Sequence, residues 1–337
     1  MKFEPSTPAE HLLDILGGKA RVMAVSTVAS LGIADLLAAG PLPTATIAQR
    51  LGCREEVLVP LLRMVAGLGF FVSPEPGSYA LTERGHVLRH DQLGPLATFV
   101  GAPEQWDPWA RLRDAARGGD VAFVRTFGHG LYDHVAQDDA AAARYDAAID
   151  AFTRHEAEAL CRAFDFGATR DVVDIGGGHG TLLLEVMRRW PQLRGSLFDL
   201  PHVAARALPR LTAELGPRVR TVGGDFFAAI PAGAEVQLLK HVLHNWDDER
   251  AAVLLQRCAE ALPADGRLLV IETILAPDNR ADLAAMLDLE MMVLLGGRER
   301  RKPELRRMLS AAGLEFEWMA PLVSGSWLLV AKKRVGG

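Results

Sequence analysis

The chain has 337 residues, 37 Lys plus Arg against 42 Asp plus Glu, and a formal net charge of −5. Hydrophobic residues at 49% and charged residues at 23% describe a globular chain of about two domains and exclude a disordered one. The charge balance offers no general attraction to nucleic acid or to an anionic membrane surface.

Cys53, Cys161 and Cys258 stand far apart, with no CxxC or Cys/His spacing. Neither a disulfide framework nor a zinc site is expected, and a reducing cytoplasm fits. The N-terminus shows no basic stretch followed by a long apolar run, so no signal peptide is expected. Residues 22–39 are the most apolar early stretch, but Ser26, Thr27, Ser30 and Asp35 interrupt it, which predicts a buried helix and not a membrane span.

In chain order, residues 12–37 carry helical apolar spacing until Pro41 and Pro43 break it. Thr44 is placed to cap a short helix to Leu51, and Gly52 to stop it. Residues 54–68 predict another amphipathic helix. Residues 70–72 and 79–81, around Pro74-Glu75-Pro76-Gly77-Ser78, predict two strands and a turn. Helix, helix and hairpin outline a winged helix, a scaffold that either reads DNA or serves dimerisation. The helix that would enter a groove runs Arg54-Glu55-Glu56-Val57-Leu58-Val59-Pro60-Leu61-Leu62. Its acids repel phosphate and its apolar residues require burial, so dimerisation is expected and nucleic acid is not. This domain is expected over residues 1–100.

Residues 101–165 predict a helical connector that contributes to the substrate pocket. Trp106, Trp109 and Leu112 share a helical spacing that suits packing, with a ring available to a cavity. Gly128-His129-Gly130-Leu131-Tyr132 predicts a loop, and residues 140–164 a long alanine-rich helix. From residue 166 strands and helices alternate. Strands are predicted at 171–175, 195–198, 219–222, 236–239 and 267–275, with helices such as 182–190 and 249–262 between them. Such alternation predicts a mostly parallel sheet covered on both faces, and 315–319 with 327–330 predicts an antiparallel pair at one edge. The expected fold class is α/β: a Rossmann-like sheet over residues 166–337, preceded by an all-helical, winged-helix-like dimerisation domain.

The strand Val172-Val173-Asp174-Ile175 runs into Gly176-Gly177-Gly178-His179-Gly180. Glycines there allow a sharp turn and a close approach of backbone to ligand. A dinucleotide site would carry G-x-G-x-x-G, but the sixth position here is Thr181. The tighter G-x-G-x-G with Asp174 two residues ahead is the form that meets S-adenosylmethionine. An ordinary glycine-rich turn is the alternative. Two later acids favour the cofactor. In Leu197-Phe198-Asp199-Leu200-Pro201, Asp199 ends the second strand, where it can accept both ribose hydroxyls. In Gly223-Gly224-Asp225-Phe226-Phe227, Asp225 follows the third, where it can accept from the adenine amino group while Phe226 covers the ring.

The run Leu239-Lys240-His241-Val242-Leu243-His244-Asn245-Trp246-Asp247-Asp248-Glu249 resembles the signature of the plant caffeic acid and acetylserotonin type O-methyltransferases, whose bacterial relatives tailor aromatic polyketides and other natural products. The motifs DIGGGHG, FDLPHV, GGDFF, ALPADGRLLVIE and Gly296-Gly297-Arg298-Glu299-Arg300 match as well, and the resemblance covers nearly the whole chain. It implies a winged-helix homodimerisation domain. It implies cofactor contacts from Asp174, Gly176, Gly178, Asp199, Leu200, Asp225, Phe226 and Lys240, with Trp246 near the adenine. It also implies His244 as catalytic base, flanked by Glu272 and Glu299, and an acceptor pocket involving Phe152, Asn245, Met286 and Met291.

The chemistry agrees. Methyl transfer is an in-line displacement at a sulfonium carbon, so the protein mainly aligns acceptor and methyl. A phenol, with a pKa of about 10, is neutral at pH 7 and must lose its proton during transfer. Histidine suits that task, and a neighbouring carboxylate fixes its tautomer and stabilises the imidazolium. The expected enzyme is an O-methyltransferase acting on a small aromatic acceptor. The alternative is altered chemistry on the same fold: C- or N-methylation, or a non-methylating hydroxylase or cyclase. His241 and His244, three apart, could suggest a metal pair, but no third histidine or close carboxylate pattern accompanies them, and no metal is expected. Two positions depart from the family pattern. Arg301 stands where threonine is common and adds a cation near the acceptor-side loop, and Asn245 stands where plant members often have aspartate.

Overall fold

The computed structural model describes residues 7–334 and divides into two compact units. One comprises Met1–Asp107 and Val135–Phe152, the other Pro108–His134 and Thr153–Gly337.

In the first unit, Gly17 and Gly32 divide the long apolar run into helices Pro8–Leu16, Gly18–Ser30 and Ile33–Leu37. Helices Thr44–Leu51 and Glu55–Gly67 follow, and Gly52 closes the first of them in a left-handed conformation. Thr44 is not the cap. Pro43 precedes the helix in an extended conformation, and Thr44 is its first residue. The N–H and hydroxyl of Thr44 both donate instead to the Gly77 carbonyl, at 2.8 and 3.0 Å. Strands β1 (Leu42–Pro43), β2 (Phe71–Val72) and β3 (Ser78–Leu81) pair antiparallel in the order β1-β3-β2. The prolines that read as breakers thus flank and occupy an edge strand, where a missing N–H leaves no ladder bond unmade. Val28, Ile33, Leu58, Leu62, Val65 and Phe71 form the core beneath this wing.

In the second unit, Gly128 ends the helix Ala122–Phe127 and a new helix, Leu131–Gln137, begins inside the stretch expected to be loop. The long helix Asp139–Ala163 passes into this unit at Thr153. Strands β4 (Asp171–Ile175), β5 (Arg194–Asp199), β6 (Val219–Gly223), β7 (Val236–Lys240) and β8 (Arg267–Leu275) pair parallel. Short β9 (Arg300–Arg301) joins the end of β8. The strands β10 (Leu314–Pro321) and β11 (Ser326–Lys333) close one edge antiparallel, giving the order β10-β11-β8-β7-β4-β5-β6.

Alternate residues of these strands enter different cores. Val172, Leu238, Leu269 and Val330 pack with Leu160, Phe166 and Leu183 on one face. Val173, Leu239, Val270 and Leu329 pack with Leu254, Cys258 and Leu309 on the other. A sheet buried on both faces explains why its strands read as continuous apolar runs. The register sets Ile175 beside Phe198, Asp199 beside Gly223, and Lys240 beside Ile271, so the carboxyl ends of five strands share one edge. Such an edge is where parallel sheets bind ligands. No helix among the described residues is long and apolar enough to cross a membrane.

The helix Pro8–Leu16 starts with a Thr7/Glu10 capping box yet buries no residue. Leu12, Leu13, Ile15 and Leu16 are 56–66% exposed. A strip of this kind requires a partner surface. The double substitution Leu13→Asp, Leu16→Asp is expected to convert a dimer into a monomer in multi-angle light scattering; an unsubstituted chain that is monomeric at micromolar concentration would contradict the expectation.

Candidate active site

The loop after β4 is built as its glycines predict. Gly176, Gly178 and Gly180 take φ of 67, 59 and 74, a region costly for residues with a Cβ. A Cβ at Gly176 would stand 3.0 Å from Val242, whereas one at Gly178 would meet nothing within 4 Å and would fill the open space before the loop. The Gly178 N–H donates to Asp199 Oδ2 at 2.8 Å, and the Leu200 N–H to Asp199 Oδ1 at 2.7 Å. The glycine loop and the first acid therefore meet directly. Burial raises the Asp199 pKa above the ordinary carboxylate value, against the pull of these two N–H groups.

Asp174 is 1% exposed, and its Oδ2 has no hydrogen-bond partner among the described residues. Burial, with Asp199 nearby, outweighs Lys240 and pushes its pKa up to about 7. An orphaned buried acceptor behind a glycine cradle suits a cationic ligand.

The next loop docks through Gly224, whose N–H donates to the Asp199 carbonyl at 2.9 Å. Asp225 is exposed and accepts from the Phe227 N–H at 2.9 Å. Phe226 and Phe227 meet the Trp246 ring edge to face, with centroids 6.1 and 4.9 Å away. Arg250 stacks 4.5 Å from Trp246 and Phe227. Trp246 Nε1 is buried without a hydrogen-bond partner among the described residues. Orphaned donor, orphaned acid, glycine cradle and two carboxylates at strand ends together fit S-adenosylmethionine. Lys240 stands at the end of β7. Its ammonium reaches Thr153 Oγ1 at 3.2 Å and Glu156 Oε2 at 3.0 Å on the long helix.

His244, Glu272 and Glu299 converge. His244 Nδ1 lies 2.8 Å from Glu299 Oε1 and 3.5 Å from Glu272 Oε2, and all three residues are buried. An ionised carboxylate only accepts, so Nδ1 carries the proton and Nε2 is the basic nitrogen. Glu272 Oε1 accepts from the Val242 and Leu243 N–H groups at 3.1 and 2.8 Å, which fixes the turn that carries His244. The two acids titrate in opposite directions. Burial raises Glu299, against its His244 bond. In Glu272 burial is outweighed by the histidines and the Leu243 N–H, and its pKa is lowered.

The Gly-Gly-Arg-Glu-Arg segment returns Glu299 to His244. Gly297 lies against the His244 turn so closely that a Cβ would stand 2.0 Å from the His244 carbonyl. The Arg298 N–H donates to that carbonyl at 2.9 Å. Two residues of this assembly escaped sequence reasoning. Arg300, 2% exposed, donates to the Leu243 and Trp246 carbonyls at 2.8 Å each and to Asp248 at 2.9 Å, clamping both ends of the turn. Asp288 Oδ1 accepts the Glu299 N–H at 2.8 Å. Arg300 lies inside a motif already singled out, but nothing in its spacing marks it as buried.

The expected pocket residues separate. Asn245 donates from Nδ2 to the His241 carbonyl at 3.2 Å, a turn-closing contact. On the helix Leu283–Leu294, Met286 is 61% exposed and Met291 is buried. The same helix receives the Trp109 indole, which donates to Glu290 Oε2 at 3.1 Å. Phe152 is half-buried and belongs to the other unit. Arg301 is exposed and lines a cavity of about 360 Å³ with Asp278, Asp282 and Asp288. The folding of the chain also supplies the carboxylate that linear spacing lacked beside the two histidines. Ligand atoms of His241, His244 and Glu272 lie within 4.8 Å of one another. A cation bound there through His244 Nδ1 would have to displace the bond from that nitrogen to Glu299.

Comparison with known proteins identifies the family. Residues 109–315 match the O-methyltransferase domain, and residues 13–91 the O-methyltransferase dimerisation domain. The chain is 37% identical to the phenazine O-methyltransferase of Lysobacter antibioticus, over 95% of each chain. It is 35% identical to the mitomycin biosynthesis 6-O-methyltransferase of Streptomyces lavendulae, over 96% of this chain and 94% of that one. Among solved structures, human N-acetylserotonin methyltransferase in complex with S-adenosylmethionine superposes with a TM-score of 0.88 at 26% identity, over 99% of this chain and 100% of that one. The chain belongs to the O-methyltransferase family: it is an S-adenosylmethionine-dependent enzyme with its own dimerisation domain.

Proposed function

We propose that His244 is the general base for methyl transfer to a phenolic hydroxyl of a small aromatic or polyketide-type natural product, in the cytoplasm. The observation that carries this reading is the 2.8 Å bond from His244 Nδ1 to the buried Glu299, which leaves Nε2 basic in a dry site. The relatives named for phenazine and mitomycin support an aromatic natural-product acceptor. The free cysteines Cys53, Cys161 and Cys258 support a reducing compartment.

When bound, S-adenosylmethionine supplies a methyl group on a sulfonium, a good leaving group. Asp199 holds the ribose hydroxyls and Asp225 the adenine amino group. Phe226 and Trp246 flank the adenine. Leu200, Gly176 and Gly178 shape the channel, and Asp174 with Lys240 sets the charge behind it. Asn245, Met286 and Met291 contribute to holding the acceptor. His244 Nε2 would take the phenolic proton, leaving the acceptor oxygen free to receive the methyl group as its bond to the sulfonium sulfur breaks. Glu299 accepts the Nδ1–H and stabilises the imidazolium, while Glu272 holds the turn. Burial strengthens each of these pairings.

His244→Ala is expected to lower turnover of a phenolic acceptor about 10²–10⁴-fold with unchanged cofactor affinity. Turnover within about threefold of the unsubstituted enzyme would remove the base assignment. Mass-spectrometric product analysis should place one added methyl on oxygen, and a methyl on carbon or nitrogen would redirect the reading.

Asp199→Ala is expected to weaken cofactor binding by about 10-fold to 100-fold, since charge-assisted bonds are lost. Calorimetry showing equal affinity would contradict the ribose role. Asp174 is protonated below about pH 7 and ionised above it. A cationic ligand favours the ionised form, so cofactor affinity should rise between about pH 6 and about pH 8 with proton release on binding. Asp174→Asn should flatten that slope, and a slope that persists in the variant would place its origin elsewhere.

A further inference from the structure

Beside the proposed base lies a buried charged cluster that the reaction as described does not use. His241 follows β7 with φ of 52, a conformation rarely held by a residue with a side chain. Its backbone is fixed on both sides: its N–H donates to the Ile271 carbonyl at 2.8 Å, and its carbonyl accepts from Asn245. Its ring Nε2 lies 2.9 Å from Glu156 Oε1, and its Nδ1 lies 3.7 Å from Glu272 Oε2. The ring stacks on His244, with centroids 5.2 Å apart and planes at 26°. Glu156 is 1% exposed and is held in turn by the Ser326 hydroxyl and the Lys240 ammonium.

We propose that Glu156 and His241 form a positioning pair for the base: Glu156 holds the His241 ring through its Nε2, and that ring, stacked on His244, fixes the plane of the base and sets a positive charge beside it. This deepens the assignment of His244 and rests on it. The groups that face His241 include Glu156 from the long helix, Lys240 from β7, Glu272 from β8, Ser326 from β11, and His244 with Glu299 from the catalytic turn and its return segment. Burial works against charge on His241 and Lys240 opposes it, but Glu156 and Glu272 outweigh both and push its pKa up to about 9. The Glu156 carboxyl is held well below the usual carboxylate range, because His241 and Lys240 outweigh the effect of burial. Both members are therefore ionised at neutral pH. Glu156→Gln removes the charge that retains the His241 proton, and His241→Gln removes the cation itself. Either change takes a positive charge from beside His244.

The test is the pH dependence of single-turnover methyl transfer by the full-length enzyme to a phenolic acceptor, for the unsubstituted chain, Glu156→Gln, His241→Gln and His244→Ala. The expected result is an acid limb displaced upward by about one pH unit in Glu156→Gln and His241→Gln, with the high-pH plateau within about threefold. A merely structural role would lower the plateau and leave the limb in place. An unmoved limb in both variants, with His244→Ala inactive, overturns the positioning pair and leaves the base assignment intact. An active His244→Ala overturns the base assignment and the pair with it. Histidine ¹⁵N NMR on the unsubstituted enzyme decides the matter if neither variant folds: an imidazolium at His241 from about pH 6 to about pH 8 supports the pair, and a neutral ring at about pH 7 overturns it.

Discussion

A 2.8 Å hydrogen bond between His244 Nδ1 and Glu299 Oε1, closed off from water, sets the conditions for the rest of the site. Two ionisable groups can be buried together only when each supplies the partner the other loses on leaving solvent. The chain meets this requirement in layers. The Glu299 N–H is held by Asp288, and the His244 carbonyl by the Arg298 N–H. Arg300 binds the carbonyls on either side of His244, and Glu272 binds the N–H groups before it. These contacts together hold the imidazole in one orientation.

The parallel sheet makes this arrangement possible. Its register carries β4, β5, β6, β7 and β8 to a common edge, where backbone N–H groups and side chains from separate loops point into one space. Asp174, Asp199, Lys240 and Glu272 all stand at or beside those strand ends. Helices and apolar strands on both faces keep the surroundings dry, which enlarges every charge effect there. The concentration of raised and lowered pKa values at this edge follows from that placement, and such clustering marks a site built for chemistry.

Much of this was apparent from residues in order. The strand positions, the glycine turn, and the acids that follow β5 and β6 are local features. Each depends on neighbours within a few residues, through backbone conformation and alternating burial. The family signature placed His244, Glu272 and Glu299 in one site, and the structure brings them together. The misplacements were also local. Thr44 was expected to cap because threonine suits that role, but the Gly77 carbonyl, distant in sequence, engages both its N–H and its hydroxyl. Residues 131–132 were expected in a loop because flanking glycines suggested one, yet Leu131 is buried and opens a helix.

What sequence alone determined, then, was the fold class, the glycine turn after β4 and the family, because these depend on periodicity and short motifs. Only the tertiary structure decided which groups share a buried space. Glu156 stands 85 residues from His241, and Glu299 stands 55 from His244. No spacing rule spans such distances. The burial of Arg300, the pairing of Lys240 with Glu156, and the stacking of His241 on His244 arise where the long helix, β7, β8 and the glycine-rich return meet. Charge state depends on dielectric surroundings and on partners, and both exist only after the chain has folded.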